Sequence, residues 1–182
     1  MTTLPKVIML CGISGSGKTE TGRRLADKVG YPFTDTDAAV EEWLGKSVPD
    51  IFRELGETGF RTAETEVFRK AGKCKPHVIS LGGGTIANNE NLAFARTNGY
   101  LIYLRVSPAT AAKRLRSGSP RPMLDANKAA DGDDTETTIS RIKQLLEMRE
   151  IYYRQADLTV DTERKSPDDV ADEIIRNLRS HE

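Results

Sequence analysis

Val7-Ile8-Met9-Leu10-Cys11-Gly12-Ile13-Ser14-Gly15-Ser16-Gly17-Lys18-Thr19 decides the reading of this chain. Residues 12–19 match G-x-x-x-x-G-K-[ST], the phosphate-binding loop. The five residues before it are an apolar run of strand length. After it, Thr21-Gly22-Arg23-Arg24-Leu25-Ala26-Asp27-Lys28-Val29 carries a helical pattern that Gly30 ends. Strand, glycine-rich turn, helix is the order in which such a loop holds an anion. The glycines let the backbone curl so that several N–H groups converge. The helix N-terminus adds its partial positive charge at the same point. Lys18 can then reach outer phosphates, and the Thr19 hydroxyl can ligate a magnesium ion. A glycine-rich turn that binds nothing is the alternative, and the Lys-Thr pair between strand and helix argues against it.

Working outward, strand and helix signals alternate. Apolar runs predict strands over 7–11, 32–34, 77–81, 100–106 and 158–160. Helical patterns cover 19–28, 37–44, 48–55, 57–71, 89–97, 108–115, 137–154 and 167–179. Ser47 reads as a cap, and Ser107-Pro108 and Ser166-Pro167 are cap-then-proline starts. The alternation predicts an α/β fold, a parallel sheet with helices on both faces. A length of 182 residues suits one domain. Lys plus Arg and Asp plus Glu are 27 each, so the net charge of zero argues against a dedicated nucleic-acid or membrane-surface binder. No apolar run approaches a membrane span, and Met1 leads into a core strand within a few residues. The expectation is a cytoplasmic protein without leader. Cys11 and Cys74 are too few for a disulfide framework: Cys11 reads as a buried small hydrophobe, Cys74 as an exposed thiol. His77 and His181 cannot build a histidine metal site.

Four segments carry candidate chemistry. Asp35-Thr36-Asp37 follows the second strand, where a doubly wound sheet forms its ligand crevice. One carboxylate could hold magnesium through water and the other accept a hydroxyl proton; either could instead cap the next helix. Gly82-Gly83-Gly84 follows the third strand and permits close backbone approach, or is a flexible turn. Arg61 and Arg149 suit a planar carboxylate, although residue type alone does not separate them from surface charges. Residues 117–134 hold Gly118, Pro120, Arg121, Pro122, Gly132 and an acidic cluster, with no strong apolar period. A stretch of this length is a lid bringing Arg121 onto phosphates, or a surface insertion.

Taken together, these pieces resemble shikimate kinase over nearly the whole chain. The marks are G-x-x-G-S-G-K-T, then D-T-D at 35–37, I-F-x-x-x-G-E-x-x-F-R at 51–61 and L-G-G-G at 81–84. R-P-M-L at 121–124 and R-x-x-x-Y at 149–153 complete the set. The phosphate loop alone is widespread; the ordered set is far more specific. The resemblance implies a three-layer sandwich with a five-stranded parallel sheet, a P-loop fold of the nucleoside monophosphate kinase type, with a lid near 117–136. It implies transfer of the terminal phosphate of ATP to the 3-hydroxyl of shikimate, with Mg2+, in aromatic amino acid (chorismate) biosynthesis, by a monomer. By matching positions, Lys18 contacts the transferred phosphate, Thr19 ligates magnesium and Asp35 holds it through water. Asp37 hydrogen-bonds the attacking hydroxyl. Arg61 and Arg149 clamp the carboxylate, Gly82 and Gly83 line the pocket, and Glu64 orients it. Arg121 arrives on the lid. Gly15, Ser16, Gly17 and Glu20 lie along the phosphates, and Arg114, Lys165 and Pro167 enclose the adenine.

Some positions depart from the pattern. The Asp- and Thr-rich stretch 125–138 looks longer than in compact members and reads as a solvated lid extension. Glu20 stands where a small hydroxyl residue is common, and Lys165 where arginine is frequent. A gluconate-type or other small-molecule kinase is the nearer rival, since it too binds a hydroxy acid. A non-catalytic nucleotide-binding module of the same fold is the other.

Overall fold

The computed structural model describes residues 4–116 and 135–180. Five strands, β1 (Val7–Cys11), β2 (Phe33–Asp35), β3 (His77–Ser80), β4 (Tyr100–Arg105) and β5 (Leu158–Asp161), form one sheet. All neighbours pair in parallel, in the order β2-β3-β1-β4-β5. β1 is central, and all five of its side chains are buried. That is why it reads as an unbroken apolar run rather than an alternating one.

The period of two along β1 divides the core into two layers. Val7, Met9 and Cys11 pack with residues of α3 (Val48–Ala71), α4 (Asn89–Asn98), α5 (Pro108–Arg116) and α6 (Thr135–Tyr153). Ile8 and Leu10 face α1 (Lys18–Val29) and α7 (Pro167–Ser180). α2 (Thr36–Leu44) packs on α3, on both sides of Gly56, through Val40, Val48, Ile51 and Phe60. Each buried Leu, Ile or Phe contributes roughly 1.5–3 kcal/mol. α7 illustrates the local logic. Val170, Ile174 and Leu178 recur every four residues on its buried stripe. Its start is a reciprocal cap, Asp169 N–H donating to Ser166 Oγ at 3.1 Å and Ser166 N–H to Asp169 Oδ2 at 3.2 Å.

The break expected between 55 and 57 is present as a kink inside α3. Gly56 there has φ 67° and ψ −178°, a region only glycine occupies without strain. Beyond the kink, Phe60, Arg61 and Glu64 line a cavity together with Gly83 and Gly84, which follow β3. α6 begins at Thr135, so residues 135–138, expected to belong to the lid or its extension, are its first turn. Arg121 and residues 117–134 lie outside the described residues. Among the described residues no helix is long and apolar enough to cross a membrane.

Candidate active site

The loop after β1 curls at Gly15, whose φ is +83° and where a Cβ would sit 2.6 Å from the Ala111 carbonyl oxygen. Only glycine serves there. Gly17 precedes α1 and provides no side-chain cap, so the first N–H groups of α1 are left for an anion. Lys18 Nζ arches back and donates to the carbonyls of Gly12 and Ile13, each at 2.9 Å. Ser16 is wholly buried; its N–H donates to the Ile13 carbonyl at 3.1 Å.

Asp35 and Asp37 differ in their surroundings. Asp35 Oδ1 caps α2, accepting from the N–H groups of Asp37 at 3.1 Å and Ala38 at 3.3 Å. Its other oxygen accepts from Thr19 Oγ1 at 2.6 Å. One carboxylate thus caps a helix and faces the loop hydroxyl. Asp37, in the first turn of α2, lies instead on the walls of two adjoining cavities.

The larger cavity, about 450 Å³, is of ordinary ligand-site size. Gly15, Ser16, Gly17, Lys18, Thr19, Glu20 and Asp35 form one wall, and Arg114, Thr162, Lys165 and Pro167 the other. Arg114 knits the two together. It donates to the Thr162 carbonyl at 2.7 Å, to Thr162 Oγ1 at 3.1 Å and to the Gly15 carbonyl at 3.4 Å. Lys165 Nζ donates to Glu173 Oε2 at 2.6 Å at the cavity edge.

The smaller cavity is lined by Ile13, Ser14, Asp37, Arg61, Glu64, Gly83, Gly84 and Arg149, with Val48, Phe52 and Phe60 as an apolar side. Arg61 Nη1 donates to Glu64 Oε2 at 2.7 Å, and Thr85 Oγ1 donates to Glu64 Oε1 at 2.7 Å. Glu64 is 1% exposed, so this is a nearly buried carboxylate satisfied on both oxygens. Burial works against the Arg61 charge, but the Glu64 and Glu57 carboxylates outweigh it and raise its pKa above the ordinary value. Arg149 is 9% exposed on the opposite wall.

The three glycines after β3 are explained by room rather than by backbone freedom. A Cβ on Gly82 would lie 2.3 Å from Glu64 Oε1 and 2.5 Å from Asp37 Oδ1. On Gly83 it would lie 3.4 Å from Arg149 Nη1, and on Gly84 2.6 Å from Arg61 Nη1. The strand end is a floor on which Asp37, Glu64, Arg149 and Arg61 all rest. Gly82 lies just behind the cavity wall, its N–H donating to Thr36 Oγ1 at 2.8 Å.

The residues expected from sequence therefore gather at one end of the sheet, apart from Arg121, which lies outside the described residues. Ser14, Thr36, Thr85, Tyr153 and Thr162 are not among the residues to which the sequence reading gives a role. Thr36 and Tyr153 stand inside the quoted motifs, as Gly84 does, and Ser14 occupies a variable position of the loop; Thr162 has no local signal.

The family model for shikimate kinase matches residues 14–179. A shikimate kinase of Caldanaerobacter subterraneus subsp. tengcongensis is 39% identical over 171 residues, 94% of this chain and 95% of its own. One from Chlorobium limicola is 40% identical over 172 residues, 94% of this chain and 86% of its own. Among solved structures, shikimate kinase from Acinetobacter baumannii in complex with shikimate superposes with a TM-score of 0.89. Its identity is 32%, and the alignment covers 100% of this chain and 96% of that one. Agreement of this extent, over the loop, both cavities and the helices between them, means that the chain belongs to the shikimate kinase family.

Proposed function

We propose that this chain phosphorylates shikimate with ATP as its family does, at the 3-hydroxyl, giving shikimate 3-phosphate and ADP. The observation that carries the residue assignments is the junction of the cavities: Ser14, Asp37 and Gly83 line both. A phosphoryl group passing from a nucleotide in the larger cavity to an acceptor in the smaller one must cross there. Phosphoryl transfer needs positioning and charge neutralisation more than covalent participation. Arg61 and Arg149 take the acceptor's carboxylate and so choose which hydroxyl points to the junction. Asp37 accepts a hydrogen bond from that hydroxyl and polarises it. Lys18 leaves the loop carbonyls to meet the transferred phosphate.

The donor set fits magnesium. The Thr19 hydroxyl and Asp35 carboxylate are hard oxygens in mutual contact beside the phosphate loop. Thr19 would ligate the ion and Asp35 would hold it through water; when bound, the ion neutralises phosphate charge. Glu64 keeps Arg61 in place, and Arg114, Lys165 and Pro167 enclose the base. Arg121, a single domain over 1–182 with a lid near 117–136, a monomeric state and residence in the cytoplasm belong to the proposal on the family resemblance alone.

The test is coupled ADP release with Mg-ATP and shikimate, gluconate, AMP or no acceptor, with phosphorus NMR of the product. Turnover with shikimate alone and phosphate on the 3-hydroxyl is expected. Turnover with gluconate instead would overturn the acceptor assignment. Nucleotide binding without acceptor-dependent release would return the binding-module reading.

A further inference from the structure

Tyr153 closes α6 one turn after Arg149. Its ring stacks on that of Tyr103, centroids 5.2 Å apart and planes at 28°, and the residue is fully buried. Its hydroxyl donates to the Gly83 carbonyl. The Arg149 charge acts on the phenol from close by. The phenol gives its proton to Gly83, and a guanidinium beside it can only donate toward its oxygen. Burial pushes the phenol pKa up, more than the Arg149 charge pulls it down, so the proton stays on oxygen throughout the working range. The direction of the hydrogen bond from Tyr153 to the Gly83 carbonyl is therefore fixed.

A buried tyrosine usually finds some partner for its hydroxyl. These neighbours are particular: both line the acceptor cavity, and Gly83 also lines the nucleotide cleft. They sit against each other too, since a Cβ on Gly83 would be 3.4 Å from Arg149 Nη1 and 3.6 Å from the Ser14 nitrogen. An arginine side chain is long and loses rotamer freedom when it takes a ligand. A phenol that holds the backbone lying against it beforehand removes part of that cost.

We infer that Tyr153 is a positioning residue for the acceptor's carboxylate: through its hydroxyl it sets Arg149 and the Gly83 backbone in register before the acceptor arrives. The inference rests on the reading of the smaller cavity as the carboxylate-acceptor site. Tyr153→Phe keeps the ring and deletes only the hydroxyl. It is expected to raise the shikimate KM about 10-fold, with kcat and the ATP KM changed less than about 2-fold. Tyr103→Phe removes a phenol from the same ring stack and is expected to leave the shikimate KM unchanged. In an Arg149→Lys background, Tyr153→Phe should add little to the KM already raised. The inference is overturned if Tyr153→Phe leaves the shikimate KM within about 2-fold, if the ATP KM rises by the same factor, if Tyr103→Phe has the same effect, or if the effect persists undiminished beside Arg149→Lys. Should Tyr153→Phe melt at the assay temperature, calorimetric titration of shikimate in the cold applies the same criterion. Absence of shikimate turnover in the unmodified protein would instead overturn the functional reading on which the inference rests.

Discussion

Gly82→Ala should damage both stability and catalysis, although Gly82 carries no functional group. The added Cβ would lie 2.3 Å from Glu64 Oε1 and 2.5 Å from Asp37 Oδ1, where real Cβ atoms essentially never come within 3.0 Å. The Glu64 oxygen must then retreat by about 0.7 Å and the Asp37 oxygen by about 0.5 Å. Glu64 has nowhere cheap to go: it is 1% exposed and held at 2.7 Å by both Arg61 and Thr85. Retreat stretches a charge-assisted hydrogen bond, a loss of roughly 1.5–3 kcal/mol. Overpacking adds about 1–3 kcal/mol. Relaxation shares these costs, so a net destabilisation of about 3 kcal/mol is expected, a fall in Tm of roughly 6–12 °C for a chain of this size. Displacing Asp37 and Arg61 together should lower kcat/KM for shikimate by about 10²-fold, because sub-ångström misplacement is costly in phosphoryl transfer. Thermal melting and coupled ADP release, both against the unmodified protein, read the two effects. A Tm within about 2 °C and kcat/KM within about 3-fold would refute the account of the glycine run as the floor under these carboxylates.

Arg61→Ala should raise the shikimate KM about 10²-fold and cost about 2–4 kcal/mol of stability, since it strips the nearly buried Glu64 of its ion partner. Adding Glu64→Gln should return much of the Tm but not the KM; unchanged shikimate affinity in Arg61→Ala would refute the clamp. Ser16 Oγ is buried without a hydrogen-bond partner among the described residues, so Ser16→Ala should leave stability unchanged or raise it by up to about 1–2 kcal/mol in denaturant unfolding, and a loss larger than about 1 kcal/mol would count against this. Burial holds the His77 imidazole below its ordinary 6.5, so the unfolded chain takes up the proton first. The stability this neutral histidine contributes is fully present above about pH 6.5 and is lost as pH falls below it; Tm should drop more steeply over that range than in His77→Gln, and equal slopes would sink the idea.

The range of each interaction governs how much of the fold and site was legible in the sequence. The phosphate loop is local, and so were its reading and that of its strand and helix. The break before residue 57 was legible because glycine and cap signals act within a few positions; Gly56 shows the reason in its φ of 67°. The aspartates could not be separated by spacing, because capping and metal-side duty both want a carboxylate at a helix start. The 2.6 Å contact of Asp35 with Thr19, sixteen residues away, is what sets its surroundings apart, and spacing does not show it. Tyr153 and Thr162 act on Gly83 and Ser16 across 70 and 146 residues. Nothing near a tyrosine or threonine in the sequence predicts such contacts. The glycine run was legible as an opening for a ligand, yet its main work is to make room for four side chains from three helices.

The sheet order explains why the two substrates do not compete for one wall. β1 is central, with β3 and β2 on one side and β4 and β5 on the other. In a parallel sheet ligand loops follow the carboxyl ends of strands. The segments leaving β2 and β3 bring Asp37, the glycine run and, across the kink of α3, Arg61 to the smaller cavity, the acceptor site on the proposed reading. Those leaving β4 and β5 bring Arg114, Thr162, Lys165 and Pro167 to the larger one, while α6, which also follows β4, returns Arg149 to the smaller. The loop after β1 belongs to both, and Ser14 within it lines both cavities. On that assignment, substitutions on the β2–β3 side and on the Arg149 face of α6 should move acceptor parameters, those at Arg114, Thr162, Lys165 and Pro167 nucleotide parameters, and those in the central loop kcat. On the proposed reading the acceptor can thus be changed by altering the first group, because Ser14, Asp37 and Gly83 line both cavities and the larger one keeps its own lining.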